Sequence, residues 1–424
     1  MQNVRHLLRA RRFAPLFTTQ FLGAFNDSLF KQGVVLFVTY QLYSDAAREA
    51  QFSAIAQGLF ILPFFLLSAL AGQLADDHDK SRLIRIIKTV EILIMIVGGA
   101  GLLLESIPLM LAAVFGMGVH STFFGPIKYA ILPQHLQKDE VLGGTGLVEA
   151  GTYIAILGGT ILAGILADSP MLAVVATVGI AVLGLLSGMQ VPTAPPAAER
   201  VKPDWHIVRA SIRLVSETMH VRRLFLAILA ISFFWAMGAV LAAQFPPLVK
   251  NSLSADQTVA TLFLATFSVG VAIGSVAVNW LLKGEVSARD SPLSALFLGV
   301  FVMDLWRRVY AWPTHAGGLH DLQTFLTLPN SWLVVVDLLG VAIAGGMFVV
   351  PLYAFLTTTV AKSETARTIA ANNIVNSGFM VLASAILAIA VGFFEITVAD
   401  SLLIVAMASV VAAWLGYRLH LACD

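Results

Sequence analysis

The chain of 424 residues is 58% hydrophobic and only 12% charged, with a mean hydropathy of +0.85; a soluble protein of this size carries about a quarter charged residues, so the composition is that of an integral membrane protein. A net charge of +1 and a pI near 7.9 offer no basic surface for nucleic acid and exclude that class of partner. The single cysteine, Cys423, excludes an internal disulfide.

The apolar run behind the Arg-rich start is longer than a signal h-region and lacks a small-residue cleavage site, so the first helix is expected to remain in the mature protein. Runs of about 20 apolar residues separated by charged or turn-forming clusters predict about twelve spans, near 13–43, 52–75, 83–104, 107–133, 140–167, 170–190, 223–249, 257–282, 292–312, 331–360, 365–394 and 397–419. The ninth is interrupted at its far end by Asp304, Arg307 and Arg308; these lie beside Trp306, Tyr310 and Trp312, an interfacial anchor pattern. Between the sixth and seventh spans, "VPTAPPAAERVKPDWHIVRASIRLVSETMHVRR" passes from a proline-rich stretch to a basic amphipathic one. It reads as a linker with a helix on the membrane surface. The expected organisation is an all-α membrane fold of two pseudo-symmetric six-helix bundles, 1–190 and 223–424, joined by a linker at 191–222.

With the N-terminus, linker and C-terminus on the cytoplasmic side, that side collects 20 of the 26 Lys and Arg residues, the opposite side four and the spans two. The positive-inside rule therefore predicts both termini on the cytoplasmic side. Two six-helix halves joined by a long loop point to a transporter built of repeats. Setting "KDEVLGGTGLVEAGTY" from Lys138 against "KSETARTIAANNIVNS" from Lys362 places Glu149 opposite Asn373 and Thr152 opposite Asn376. "KYAIL" at 128–132 likewise faces "LYAFL" at 352–356, which matches Tyr129 with Tyr353.

Ionisable groups inside a span cost several kcal/mol and normally face a cavity or a partner. Asn26, Asp27 and Lys31 interrupt the first span, and Asp27 and Lys31 share one helix face four residues apart. Lys128 and Glu149 follow in the fourth and fifth spans, whereas the C-terminal half offers only neutral Asn372, Asn373, Asn376 and Gln244. At about 1.5 Å of rise per residue, Lys128 lies roughly 10 Å, Glu149 about 15 Å and Asp27 about 20 Å from the cytoplasmic end. Such a ladder of alternating charge suits a zwitterionic or anionic headgroup: Lys128 as a compact cation for phosphate, Asp27 or Glu149 for an amine. Glu91, three residues after Lys88, reads as a local helix pair, and His120 as a hydrogen-bonded core residue.

"GQLADDHDKSR", from Gly72 to Arg82, resembles the cytoplasmic signature of the major facilitator superfamily. In it Gly72 allows close helix approach, Asp76 caps, and Lys80 and Arg82 fill the basic positions of a conformational gate. Asp77 and Asp79 replace the signature's usual Arg and Gly. "FLGAFNDSLFK", "GPIKYAILP", "GLVEAGTY", "VVPL" and "RTIAANNIVN" together resemble the bacterial lysophospholipid transporter family of that superfamily, and most of all its branch fused to acyltransferase and acyl-carrier-protein synthetase domains. The resemblance implies flipping of lysophosphatidylethanolamine and lysophosphatidylglycerol to the cytoplasmic leaflet for reacylation. It also implies alternating access with lateral lipid entry, a monomer, and a cytoplasmic acyltransferase as partner. Asp27, Lys128 and Glu149 match the family's charged positions. Ala242 stands where standalone members carry an arginine, which leaves Gln244 or Lys31 to complete headgroup binding. The candidate substrate-binding set is thus Asn26, Asp27, Lys31, Lys128, Tyr129, Glu149, Gln244, Tyr353, Asn373 and Asn376.

A proton- or sodium-coupled carrier of small polar solutes or drugs in the same superfamily is the alternative, with Asp27 or Glu149 as the ion site. No acyltransferase box, Walker loop, His-Glu-x-x-His zinc site or Gly-x-Ser-x-Gly elbow occurs, so neither catalysis, a metal nor a cofactor is expected.

Overall fold

Helix starts follow the breaks in the apolar pattern. Ser-Pro and Ser-Ile-Pro junctions put proline in the first turn at Pro108, Pro170 and Pro292, where its missing N–H costs nothing. The computed structural model describes residues 4–137, 140–196, 206–281, 288–313, 318–358, 365–394 and 396–423, with some side chains inside helices, among them those of Asp76 and Glu149, outside the description. Among the described residues twelve long helices form: α1 Ala14–Phe37, α2 Ala46–Asp77, α3 Lys80–Leu103, α4 Ile107–Ala130, α5 Val141–Leu166, α6 Pro170–Gly188, α7 Arg222–Leu253, α8 Gln257–Leu281, α9 Ser291–Tyr310, α10 Ser331–Thr358, α11 Thr365–Phe393 and α12 Ser401–Cys423. Among the described residues nine are long and apolar enough to cross a membrane by length and composition alone. The other three, α1, α5 and α9, have 24, 26 and 20 residues. α1 and α9 are diluted by the polar residues already noted, and α5 is apolar from Ala150 to Leu166. The chain is therefore an all-α, multi-pass membrane protein.

Two compact units form: Met1–Phe37 with Leu62–Ala210, and Val38–Ile61 with Ser211–Asp424. In unit 1, α1 packs on α5 and α6, and α3 on α4 and α6. In unit 2 the same pattern recurs six helices later: α7 packs on α11 and α12, and α9 on α10 and α12.

Within unit 1 a phenylalanine stripe that runs from Phe13, just before α1, to Phe17, Phe21 and Phe25 on it, in successive ring contact at 5.9, 6.2 and 6.4 Å, meets glycines on α5. A Cβ at Gly151 would lie 2.7 Å from Phe17, one at Gly158 2.9 Å from Phe25, and one at Gly159 2.3 Å from the Phe25 carbonyl oxygen. Gln20 fixes the register, accepting from Thr152 Oγ1 at 2.9 Å and donating to the Val148 carbonyl at 3.4 Å. In unit 2, α8 and α10 approach backbone to backbone: a Cβ at Gly274 would stand 2.0 Å from the Ile343 carbonyl oxygen. Both glycine sites lie in the small-residue runs "GGTILAGILA" and "GVAIGSVAV".

The predicted first span, 13–43, is α1 followed by a π-helical turn, Val38–Leu42. In unit 2 this turn and the start of α2 are pinned to the end of α7. Lys250 donates to Glu49 at 2.6 Å, to the Tyr43 carbonyl at 2.9 Å and to the Thr39 carbonyl. Asn251 donates to the other Glu49 oxygen at 2.6 Å, and Glu49 is fully buried. Arg308 on α9 binds Asp304 and, on α10, Asp337, each at 2.7 Å, and Trp306 stacks on Tyr310. A helix at Ile207–Met219 exposes Val208, Arg209, Ile212 and Arg213 on one side.

Candidate functional site

The interior of unit 1 holds a polar cluster built by three helices. α1 supplies Asn26 and Asp27, α3 supplies Lys88 and Glu91, and α4 supplies His120 and Ser121. Glu91 is its hub: one carboxylate oxygen accepts from Asn26 Nδ2 at 2.9 Å and the other from Lys88 Nζ at 2.6 Å. His120 Nε2 stands 3.1 Å from that second oxygen, at an angle that makes no hydrogen bond. On its far side, His120 Nδ1 is 3.9 Å from Asp27 Oδ1, and the Ser121 hydroxyl donates to Asp27 Oδ2.

Packing explains how a lysine survives there. Lys88 is wholly buried, and its ammonium lies 5.1 Å from the centre of the Phe124 ring, close enough for cation–π attraction. It occupies the space left by glycine: a Cβ at Gly23 would stand 2.6 Å from Nζ. The Lys88–Glu91 pair neutralises itself, and Asp27 is the cluster's more open member, its side chain 16% exposed against 0% and 1% for the pair. Asp27 Oδ1 and Asn26 Oδ1 are buried acceptors with no hydrogen-bond donor among the described residues. Buried acceptors of this kind call for a donor.

The other candidates are distributed differently. Lys31 stands one turn beyond Asp27, half-buried and within its electrostatic reach. α4 continues through Pro126, which leaves Lys128 in the last helical turn, about two turns from His120; its ammonium lies over the exposed Tyr129 ring, 4.8 Å from the centroid. The Glu149 side chain lies outside the described residues. In unit 2, Gln244 is fully buried and donates to the Ala50 carbonyl at 3.4 Å. Tyr353 Oη accepts from Asn376 Nδ2 at 3.2 Å and from Trp235 Nε1 at 2.8 Å, whereas Asn373 on the same helix is exposed.

Of the gate positions, a Cβ at Gly72 would meet nothing within 4 Å among the described residues, so the close approach expected there is not made. The Asp76 side chain lies outside the described residues, and the cap of α3 is Asp79, which accepts from the Ser81 and Arg82 amides at 2.9 and 3.1 Å. Burial opposes ionisation of Asp79, but the Ser81 hydroxyl and the two amides outweigh it and hold the carboxyl below its ordinary range. Lys80 is buried and Arg82 exposed.

Sequence reasoning took Lys88–Glu91 as a local pair and His120 as a core residue, and so missed that they surround Asp27. Counted from the observed helix ends, Lys88, Glu91 and His120 lie about 12, 16 and 15 Å deep, within reach of Asp27 at about 20 Å, whereas the predicted start at 83 leaves Lys88 only about 8 Å deep.

Long apolar helices gathered in two units, with charge buried inside the first, define a multi-pass helical membrane protein. The sequence profile of the Major Facilitator Superfamily matches residues 16–306, and the chain belongs to that superfamily. Its curated relatives include the protein named lysophospholipid transporter LplT in Citrobacter koseri, 26% identical over 88% of this chain and 86% of the relative. The LplT of Escherichia fergusonii is 25% identical over 97% of this chain and 98% of the relative. Among solved structures, a mutant of the nucleoside transporter NupG aligns with a TM-score of 0.70 at 14% identity over 96% of this chain and 99% of that one. A POT family transporter in complex with 5-aminolevulinic acid aligns at 0.73 and 9% identity over 95% and 94%; these two likenesses bear on the fold alone.

Proposed function

We propose that this protein is a lysophospholipid transporter of the bacterial inner membrane, which moves lysophosphatidylethanolamine and lysophosphatidylglycerol from the outer to the cytoplasmic leaflet by alternating access with lateral entry. The observation that carries the reading is the partly buried Asp27 carboxylate, 16% exposed, with an oxygen that accepts from none of the described residues, set beside a second such acceptor on Asn26. An ethanolamine ammonium brings three N–H donors, enough for both acceptors, and a glycerol headgroup brings two O–H donors. Lys128, near the end of α4 and resting on Tyr129, supplies a compact cation for the phosphate. The near-full-length likeness to proteins named LplT supports the same substrate class.

The protein acts in this reading as a carrier and not an enzyme, as a monomer with both termini cytoplasmic, and delivers its product to a cytoplasmic acyltransferase. Lys31, Glu149, Gln244, Tyr353, Asn373 and Asn376 complete the proposed substrate-contacting set, and Gly72, Asp76, Lys80 and Arg82 the proposed gate. The unpartnered Asp27 oxygen would equally suit a proton- or sodium-coupled carrier of small polar solutes, so the test includes imposed gradients. Reconstituted protein should speed the loss of labelled lysophosphatidylethanolamine from the accessible leaflet, read by albumin back-extraction. Rates equal to those of empty liposomes, with and without sodium and pH gradients, would overturn the proposal.

A further inference from the structure

Unit 2 holds a second interior cluster, wholly uncharged. α7 supplies Ser232 and Trp235, α10 supplies Tyr353, and α11 supplies Asn372 and Asn376. Three donors converge on one phenolic oxygen: Trp235 Nε1 at 2.8 Å, Asn376 Nδ2 at 3.2 Å and Asn372 Nδ2 at 3.5 Å. A phenol oxygen accepts two hydrogen bonds comfortably, so the third and longest, from Asn372, is surplus. Asn376 is engaged on both sides, because its Oδ1 accepts from the Ser232 hydroxyl at 2.8 Å. Asn372 is not: its side chain is fully buried and its Oδ1 has no hydrogen-bond partner among the described residues. The cluster reaches the unit's surface through half-buried Tyr353 and exposed Asn373.

A buried amide oxygen without a donor is costly unless something brings one, and a neutral surrounding favours a neutral donor over a cation. A phospholipid with one acyl chain differs from its two-chain parent at one place: a free glycerol hydroxyl stands where the parent has an ester. The hydroxyl donates and accepts, whereas the ester only accepts. We propose that Asn372, positioned by Tyr353 and Trp235, reads this free hydroxyl, with Oδ1 accepting the hydroxyl proton, and so discriminates single-chain from two-chain phospholipids. The proposal rests on the lysophospholipid reading above and adds the group that recognises the missing chain.

The test uses the full chain in detergent and equilibrium competition against radiolabelled lysophosphatidylethanolamine. The competitors are the unlabelled lipid and its 2-deoxy analogue, which lacks only the hydroxyl. The wild type should prefer the hydroxyl-bearing lipid by about five- to tenfold, the effect of one neutral buried hydrogen bond. In Asn372→Leu the two competitors should become equal, through weaker binding of the hydroxyl-bearing lipid and little change for the deoxy lipid. Tyr353→Phe, which keeps the ring, should narrow the ratio without abolishing it. Equal binding of the two lipids by the wild type, or an unchanged ratio in Asn372→Leu, would overturn the inference while leaving the transport reading intact. Binding of neither lipid by the wild type would overturn both.

Discussion

Replacing Lys88 by methionine keeps most of its volume and deletes its charge. Glu91, 1% exposed, would keep Asn26 as a donor at 2.9 Å but lose its ammonium partner at 2.6 Å. Breaking a buried pair from one side costs about 3–5 kcal/mol, because the remaining charge is stranded. Glu91→Met strands Lys88 in the same way and also leaves the Asn26 amide without its acceptor, a further cost of about 1–3 kcal/mol. In the double variant no charge is stranded, and the cost reduces to the orphaned donor of Asn26, about 1–3 kcal/mol. The double variant should therefore be more stable than the sum of the singles implies by about 6 kcal/mol or more, the two stranding costs that no longer arise. Equilibrium unfolding in mixed SDS micelles measures all four proteins. Additivity within about 0.5 kcal/mol would refute the view that Lys88 and Glu91 form one buried unit.

Lys250→Met should cost about 3–5 kcal/mol in the same unfolding assay, since it leaves the buried Glu49 with Asn251 alone, and adding Glu49→Gln should recover part of that loss. Gly159→Val should abolish a monodisperse folded peak in size-exclusion chromatography, because the new Cβ meets a carbonyl oxygen at 2.3 Å, whereas Gly72→Ala should leave the peak unchanged. Asp79→Ala should cost about 1 kcal/mol through loss of the α3 cap. The folded-state pKa of Asp79 is depressed, so its contribution is present above the ordinary aspartate value of 3.8 and is lost as pH falls below it. Stability of the Ala variant should converge on that of the wild type in that acid range.

Most of the fold was legible in the sequence because lipid demands long apolar helices and every interruption is chemically conspicuous. The predicted spans at 107–133 and 170–190 correspond to α4 and α6 within three residues at each end. The predicted start at 397 falls in a turn instead, where the Thr397 hydroxyl donates to Asp400 at 2.7 Å and α12 begins at Ser401. A polar residue that caps a helix and one that interrupts a span look alike until the chain has turned. Asp27 was legible for the same reason as the helices, as a charge in an apolar run. Its surroundings were not, because an i,i+3 pair such as Lys88 and Glu91 satisfies a local reading completely. Only the depth of each residue on its own helix points to a shared interior. In unit 2 the network of Trp235, Tyr353 and Asn372 leaves no charge signal, and its partners come from three helices, with Trp235 more than a hundred residues before Tyr353.

The account turns on Asp27 as the group that receives the headgroup amine. Asn at this position preserves shape and can still accept from Ser121, so folding should be retained while the charge is lost. Uptake of lysophosphatidylethanolamine by proteoliposomes, measured for the wild type and Asp27→Asn at matched reconstitution, tests this most directly. The account predicts a loss of roughly tenfold or more, the effect of one charge-assisted hydrogen bond. Equal uptake by the two proteins would contradict it.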